Sequence, residues 1–208
     1  MNIKKSYYIT IALYTSFILS ACGIINVKPV TTPPMSEIHI VQGSTIGESF
    51  FPIGDTSKGG SGQPVDGVKL AKGKLVYHIH VHLSLYVNGK QISIPLGIGI
   101  IPPAIISNGV VDDGHGAYWI HTHDATGIIH VESPIKKDFT LKNFFDIWGE
   151  TLEKGNIASF KGETHIFING KPFNGDLSSI VLESHEQIVI EVGNPVVKPQ
   201  TYVFPPGF

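Results

Sequence analysis

Histidine is the residue most able to do chemistry in this chain, and six of its ten copies fall in two short segments. In Tyr77–Leu83 (YHIHVHL), His78, His80 and His82 alternate with Ile79, Val81 and Leu83. In Ala117–Ser133 (AYWIHTHDATGIIHVES), His121 and His123 are followed by His130 and Glu132. Side chains alternate faces along a strand, so each set shares one face if its segment is extended. Residues directly opposed on neighbouring strands lie about 4.5–5.5 Å apart. Imidazoles projecting from such positions can converge on one ion through bonds of about 2.0–2.1 Å. Neutral imidazole suits Zn, Cu, Fe or Ni. The candidate ligands are therefore His78, His80, His82, His121, His123, His130 and Glu132, with Asp124 as a further carboxylate. The implied cofactor is a divalent transition metal.

Three functions are open at this point. The first is a protein that binds a divalent transition metal. The second is a metal-dependent enzyme, a hydrolase or oxygenase, in which a three-histidine site keeps one coordination position open. Its base would be Asp124, Glu132 or His115, the last carried by a loop that runs straight into the second segment. Catalysis would also require an enclosed cavity beside the ion. The third is a structural or interaction protein whose histidines line an ordinary polar sheet face. His39, His165 and His185 stand apart from both segments and read as surface or turn residues.

The elements that would position these side chains are mostly strands. In Leu75–Ile94, Asn88-Gly89 is the favoured type I′ hairpin turn, pairing Val87 with Lys90, Leu85 with Ile92 and Leu83 with Ile94. Asp124-Ala125-Thr126-Gly127 reads as a four-residue hairpin loop. It pairs His123 with Ile128, His121 with His130 and Trp119 with Glu132. Asn169-Gly170 predicts another hairpin, and Gln187–Val192 (QIVIEV) alternates as a strand. One helix is predicted over Leu141–Trp148, with Thr140 as N-cap and Gly149 as its stop. Its stripe of Leu141, Phe144, Phe145 and Trp148 belongs in a core. The fold class expected is mainly β, a β-rich α+β domain: an antiparallel sandwich or partly open barrel with one short helix. If both histidine hairpins share one sheet, their apolar sides coincide, and so do their histidine sides.

The start of the chain carries a different signal. Lys4 and Lys5 precede an apolar run, Tyr7–Leu19, of signal-peptide length. Leu19-Ser20-Ala21-Cys22 resembles a bacterial lipobox, in which two small residues precede a cysteine that becomes acylated. Cys22 is the only cysteine of the 208 residues, and it sits at the cleavage point. The organisation expected is a lipoprotein signal peptide over 1–21, a Pro- and Thr-rich tether over 22–36, and a single β-rich histidine-cluster domain over 37–208. The resemblance implies a bacterial cell-envelope lipoprotein held on the membrane by its lipid, such as palmitate. Gly23 is not the Asp associated with inner-membrane retention, which favours the outer membrane in a Gram-negative cell.

Composition narrows the partners. Lys and Arg total 15 against 17 Asp and Glu, for a formal net charge of −2, and every basic residue is Lys. Nucleic acid needs a basic face and is not expected. The partners expected are a membrane, through the lipid, and a metal ion; nothing in the sequence specifies a protein partner. With Cys22 acylated, no thiol is left for a soft Cys-rich site.

The clustered segments also resemble an uncharacterised family of exported bacterial proteins. The resemblance rests on Tyr77–Leu83, on Ile94–Ile100 (IPLGIGI) and on Ile120–Pro134 (IHTHDATGIIHVESP). It extends through Phe139-Thr140-Leu141 and Phe144–Gly149 (FFDIWG) to the final strands. It brings no established activity and no catalytic residues. Cupins share a His-x-His motif, but theirs has a Glu a few residues on. Here Glu132 stands too far beyond His123 to match.

Overall fold

In a computed structural model of the chain, residues 37–54 and 59–208 are described. The expected signal peptide and tether, with Cys22, lie outside them. In chain order the elements are β1 (Glu37–His39), β2 (Tyr77–Val87), β3 (Lys90–Ile92), β4 (Ile105–Ser107), β5 (Val110–Asp113), β6 (Ile120–His121) and β7 (Ile128–Ser133). There follow α1 (Leu141–Trp148), β8 (Leu152–Glu153), β9 (Asn156–Ile157), β10 (Phe160–Lys161), β11 (Thr164–Ile168), β12 (Lys171–Pro172), β13 (Gln187–Val192) and β14 (Thr201–Val203). Among the described residues the fold is mainly β with one short α-helix, as expected, and the sheets form no closed barrel. Among the described residues no helix is long and apolar enough to cross a membrane.

The principal sheet runs β12-β11-β13-β2-β7-β6, with β3 also paired to β2. Its long central strand, β2, pairs antiparallel with β7 through its first half and with β3 at its end. Asn88 and Gly89 both have positive φ (49° and 77°), as a type I′ turn requires, and they set the Val87–Lys90 and Leu85–Ile92 pairs. Asn169 and Gly170 do the same between β11 and β12. Both histidine segments therefore lie in one sheet. Two pairings depart from the antiparallel expectation: β13 runs parallel to β2, and β1 parallel to β14.

Alternation along β2 divides the interior in two. Ile79, Val81, Leu83 and Leu85 point to the side that also receives Ile120, Ile129, Val131 and the helix stripe. Leu141, Phe144, Phe145 and Trp148 are all at most 1% exposed. The helix begins in a capping box. The Thr140 hydroxyl accepts from Asn143 N, and the Asn143 side chain accepts from Thr140 N. The helix ends at Gly149, with φ 83°.

The opposite side of β2 is not an open polar face. Ile40, Ile128 and Tyr202 form a second, smaller apolar cluster there. Their cover, from the β1–β14 pair and the chain up to Phe208, buries His80, His82, Ser84 and Tyr86 as well.

Candidate metal centre

Strand register assembles the site. His121 on β6 lies opposite His130 on β7, which lies opposite His80 on β2. One pleat further along, Glu132 lies opposite His78, and Glu132 N donates to Trp119 O. The cross-strand pair expected for His121 is therefore present, while Trp119, just before β6, meets Glu132 through that one hydrogen bond and turns its own N to Lys69 O. His121, His123, His130 and Glu132 bring one ligand atom each within 4.8 Å of one another, and so do His78, His80 and His130. These groups can hold a metal ion.

His123 arrives by a different route from the one expected. The chain leaves the sheet after His121, so the His123–Ile128 pair does not form. Thr122 takes the chain across to residues 95–98. Its N donates to Ile98 O, its hydroxyl to Pro95 O, and its O and Oγ1 accept from Gly97 N and Ile98 N. His123 then pairs its backbone O with Val111 N on β5. Gly99 allows this close approach: it has φ 75°, and a Cβ there would meet Ile120 O at 2.5 Å and His121 Cβ at 3.1 Å.

The two rings are held in defined tautomers. His121 Nδ1 is 2.7 Å from Tyr118 O, and His123 Nδ1 is 2.6 Å from Val111 O. A carbonyl only accepts, so each Nδ1 carries a proton and donates it; in the neutral ring the lone pair is then on Nε2. The two Nε2 atoms face each other at 3.1 Å. A tetrahedral ion with bonds near 2.0–2.1 Å spaces its ligand nitrogens by roughly 3.3 Å. The observed separation falls a few tenths short of that. Backbone carbonyls that orient ligand imidazoles are the usual outer partners of such sites.

Burial, then the neighbouring His123, holds His121 down to about 3. Burial, then His78, holds His80 at about 4. Burial, reinforced by the surrounding imidazoles, pushes His130 far below the ordinary imidazole range. All three are neutral at pH 7, the state in which imidazole coordinates a metal. His130 Nδ1 is buried without a hydrogen-bond partner, 3.8 Å from Glu132 Oε1. The Glu132 carboxylate also meets His78 Nε2 at 3.2 Å, where the side chains reach solvent (48% exposed for His78, 21% for Glu132).

The remaining candidates are placed elsewhere. His82 shares the histidine face but joins neither group. Its Nε2 donates to Thr126 O at 2.9 Å, and its ring stacks on Tyr202 at 3.9 Å between centroids. Asp124 is occupied in the turn: Oδ1 accepts from Thr126 N and from its hydroxyl, and Oδ2 accepts from Gly43 N. His115 is exposed and outside both groups. Its loop delivers the Val111 carbonyl rather than an imidazole. His39 and His185 are exposed, and His165 sits beside Glu163.

Three contributors carry no metal-ligand signature in sequence: the Tyr118 and Val111 carbonyls, and Phe208, whose ring lies 4.7 Å from that of His80 and 5.6 Å from that of His130. The Val111 strand was foreshadowed by Asn108-Gly109, a third Asn-Gly turn with both φ positive, between β4 and β5. The nearby cleft of about 300 Å³ lined by Lys69, Leu70, Lys72 and Trp119 includes none of the imidazoles.

Compared with protein-family models, curated protein sequences and solved structures, the chain finds no significant match.

Proposed function

We propose that this chain is a lipid-anchored protein of the bacterial cell envelope that binds a divalent transition metal through His121, His123 and His130, with Glu132. The observation that carries the metal reading is the facing pair of Nε2 lone pairs on His121 and His123. Two lone pairs at that separation repel unless a cation lies between them. A proton placed on His121 instead would charge a ring that burial holds neutral to about pH 3. A metal ion meets the same requirement with two bonds. The all-nitrogen and oxygen donor set suits Zn, Cu, Fe or Ni. The envelope location is supported by the lipobox Leu19-Ser20-Ala21-Cys22 and the preceding apolar run.

The test is equilibrium dialysis of the purified protein against Zn(II), with metal content read by mass spectrometry. At least one tightly held ion per chain is expected. The His121→Ala/His123→Ala variant is expected to lose that ion's affinity by at least roughly 100-fold, beyond what loss of an outer partner alone produces. No tight binding by the wild-type chain would overturn the proposal.

A further inference from the structure

The cluster contains more ligands than one ion needs. His78 and His80 stand two residues apart on β2, with ring centroids 4.6 Å apart. His80 lies opposite His130, again with centroids 4.6 Å apart. These three rings form a group within coordinating range of one another, separate from His121 and His123 but sharing His130. Glu132 lies at the boundary, its Oε1 3.2 Å from His78 Nε2 and 3.8 Å from His130 Nδ1. That Nδ1 is buried and unpartnered, a destabilising condition unless a ligand meets it.

A carboxylate has two oxygens, so Glu132 can serve two ions, whereas a neutral imidazole has one lone pair, so His130 serves a second ion by releasing its ring N–H proton to solvent and bridging as imidazolate. We propose that the chain holds two divalent transition-metal ions. The inner ion sits at His121 and His123, the outer at His78 and His80, and His130 and Glu132 are shared between them. This rests on the metal reading above. The two positions differ in access. His121 is 1% exposed, whereas the His78 side chain is 48% exposed. The inner ion is therefore the tightly held one, and the outer ion exchanges with solvent.

The experiment is a Zn(II) titration of the purified chain, read as ions bound per chain with their separate affinities, on the wild type and on His78→Ala. His78 is the residue to replace because it is exposed and its loss leaves the core intact; an unchanged melting temperature checks this. The wild type is expected to bind two ions. His78→Ala is expected to keep the tight ion at wild-type affinity and to weaken the second by about tenfold or more. One ion bound by the wild type, unchanged in His78→Ala, would overturn the outer site and leave the inner one standing. Two ions bound with unchanged affinities in His78→Ala would overturn the assignment of the outer ligands. No ion bound by the wild type would overturn the metal reading itself.

Discussion

The Nε2 atoms of His121 and His123 face each other at 3.1 Å, while each ring gives its Nδ1 proton to a backbone carbonyl. Two residues apart in sequence, these rings reach one point from two supports. His121 hangs from β6 in the principal sheet, and His123 is tied to Val111 on β5. The site therefore depends on how the chain between them is held.

Gly99 packs directly against the chain entering that crossing. Gly99→Ala would force a Cβ to within 2.5 Å of Ile120 O, at a φ of 75° that L-residues rarely adopt. The variant is expected to lose about 1–3 kcal/mol of stability, the usual cost of local strain, and to weaken metal binding by displacing His121. Urea unfolding followed by metal titration checks both. A variant with unchanged stability and affinity would show that the crossing does not position the ring.

His82 separates face from function. It shares the histidine side of β2, yet its Nε2 bonds to Thr126 O and its ring stacks on Tyr202. His82→Ala is expected to destabilise the fold by about 2–4 kcal/mol, the range for emptying a well-packed buried site. The affinity for the tight ion should stay within a few-fold of wild type in the folded protein. A large loss of affinity with little loss of stability would instead place His82 among the ligands.

Acid should weaken the metal-free fold in a defined window. Burial lowers His80 and His82 to about 4 and His121 to about 3 in the folded state, against 6.5 ordinarily. Between those limits the unfolded chain binds more protons than the folded one, so stability rises with pH and is lost as pH falls below about 6.5. Each such histidine contributes a slope of at most about 1.4 kcal/mol per pH unit. Urea unfolding with chelator present, at pH 7.5, 6 and 5, is expected to show progressive loss. Stability flat across that range would contradict the buried, neutral imidazoles.

The anchor is tested separately. Cys22→Ser is expected to stop lipid attachment and to release the protein from the membrane fraction or block its processing. A Cys22→Ser chain that is correctly cleaved and still partitions into detergent would remove the lipoprotein reading.

Much of the site was legible in sequence because short-range rules govern it. Counting residues through Asp124–Gly127 put His121 opposite His130, and Asn88-Gly89 fixed the register of β2 with β3. Thr140 and Gly149 marked the helix ends through local capping chemistry. What escaped depends on contacts between segments far apart in the chain. Alternation gives the face of His82 but cannot say that Tyr202 covers it. The same limit hid the parallel pairing of β13 with β2. His123 was expected to continue β6, but Thr122 finds its hydrogen-bond partners at residues 95–98 and draws the chain out of the sheet. The carbonyls of Tyr118 and Val111 belong to the backbone, which carries no residue-specific signal.

The most direct measurement is anomalous diffraction from crystals of the protein soaked with Zn(II). A peak is expected between the His121 and His123 rings, about 2.0–2.1 Å from each Nε2. Density at saturating Zn(II) that leaves those two nitrogens without an ion would contradict the metal centre.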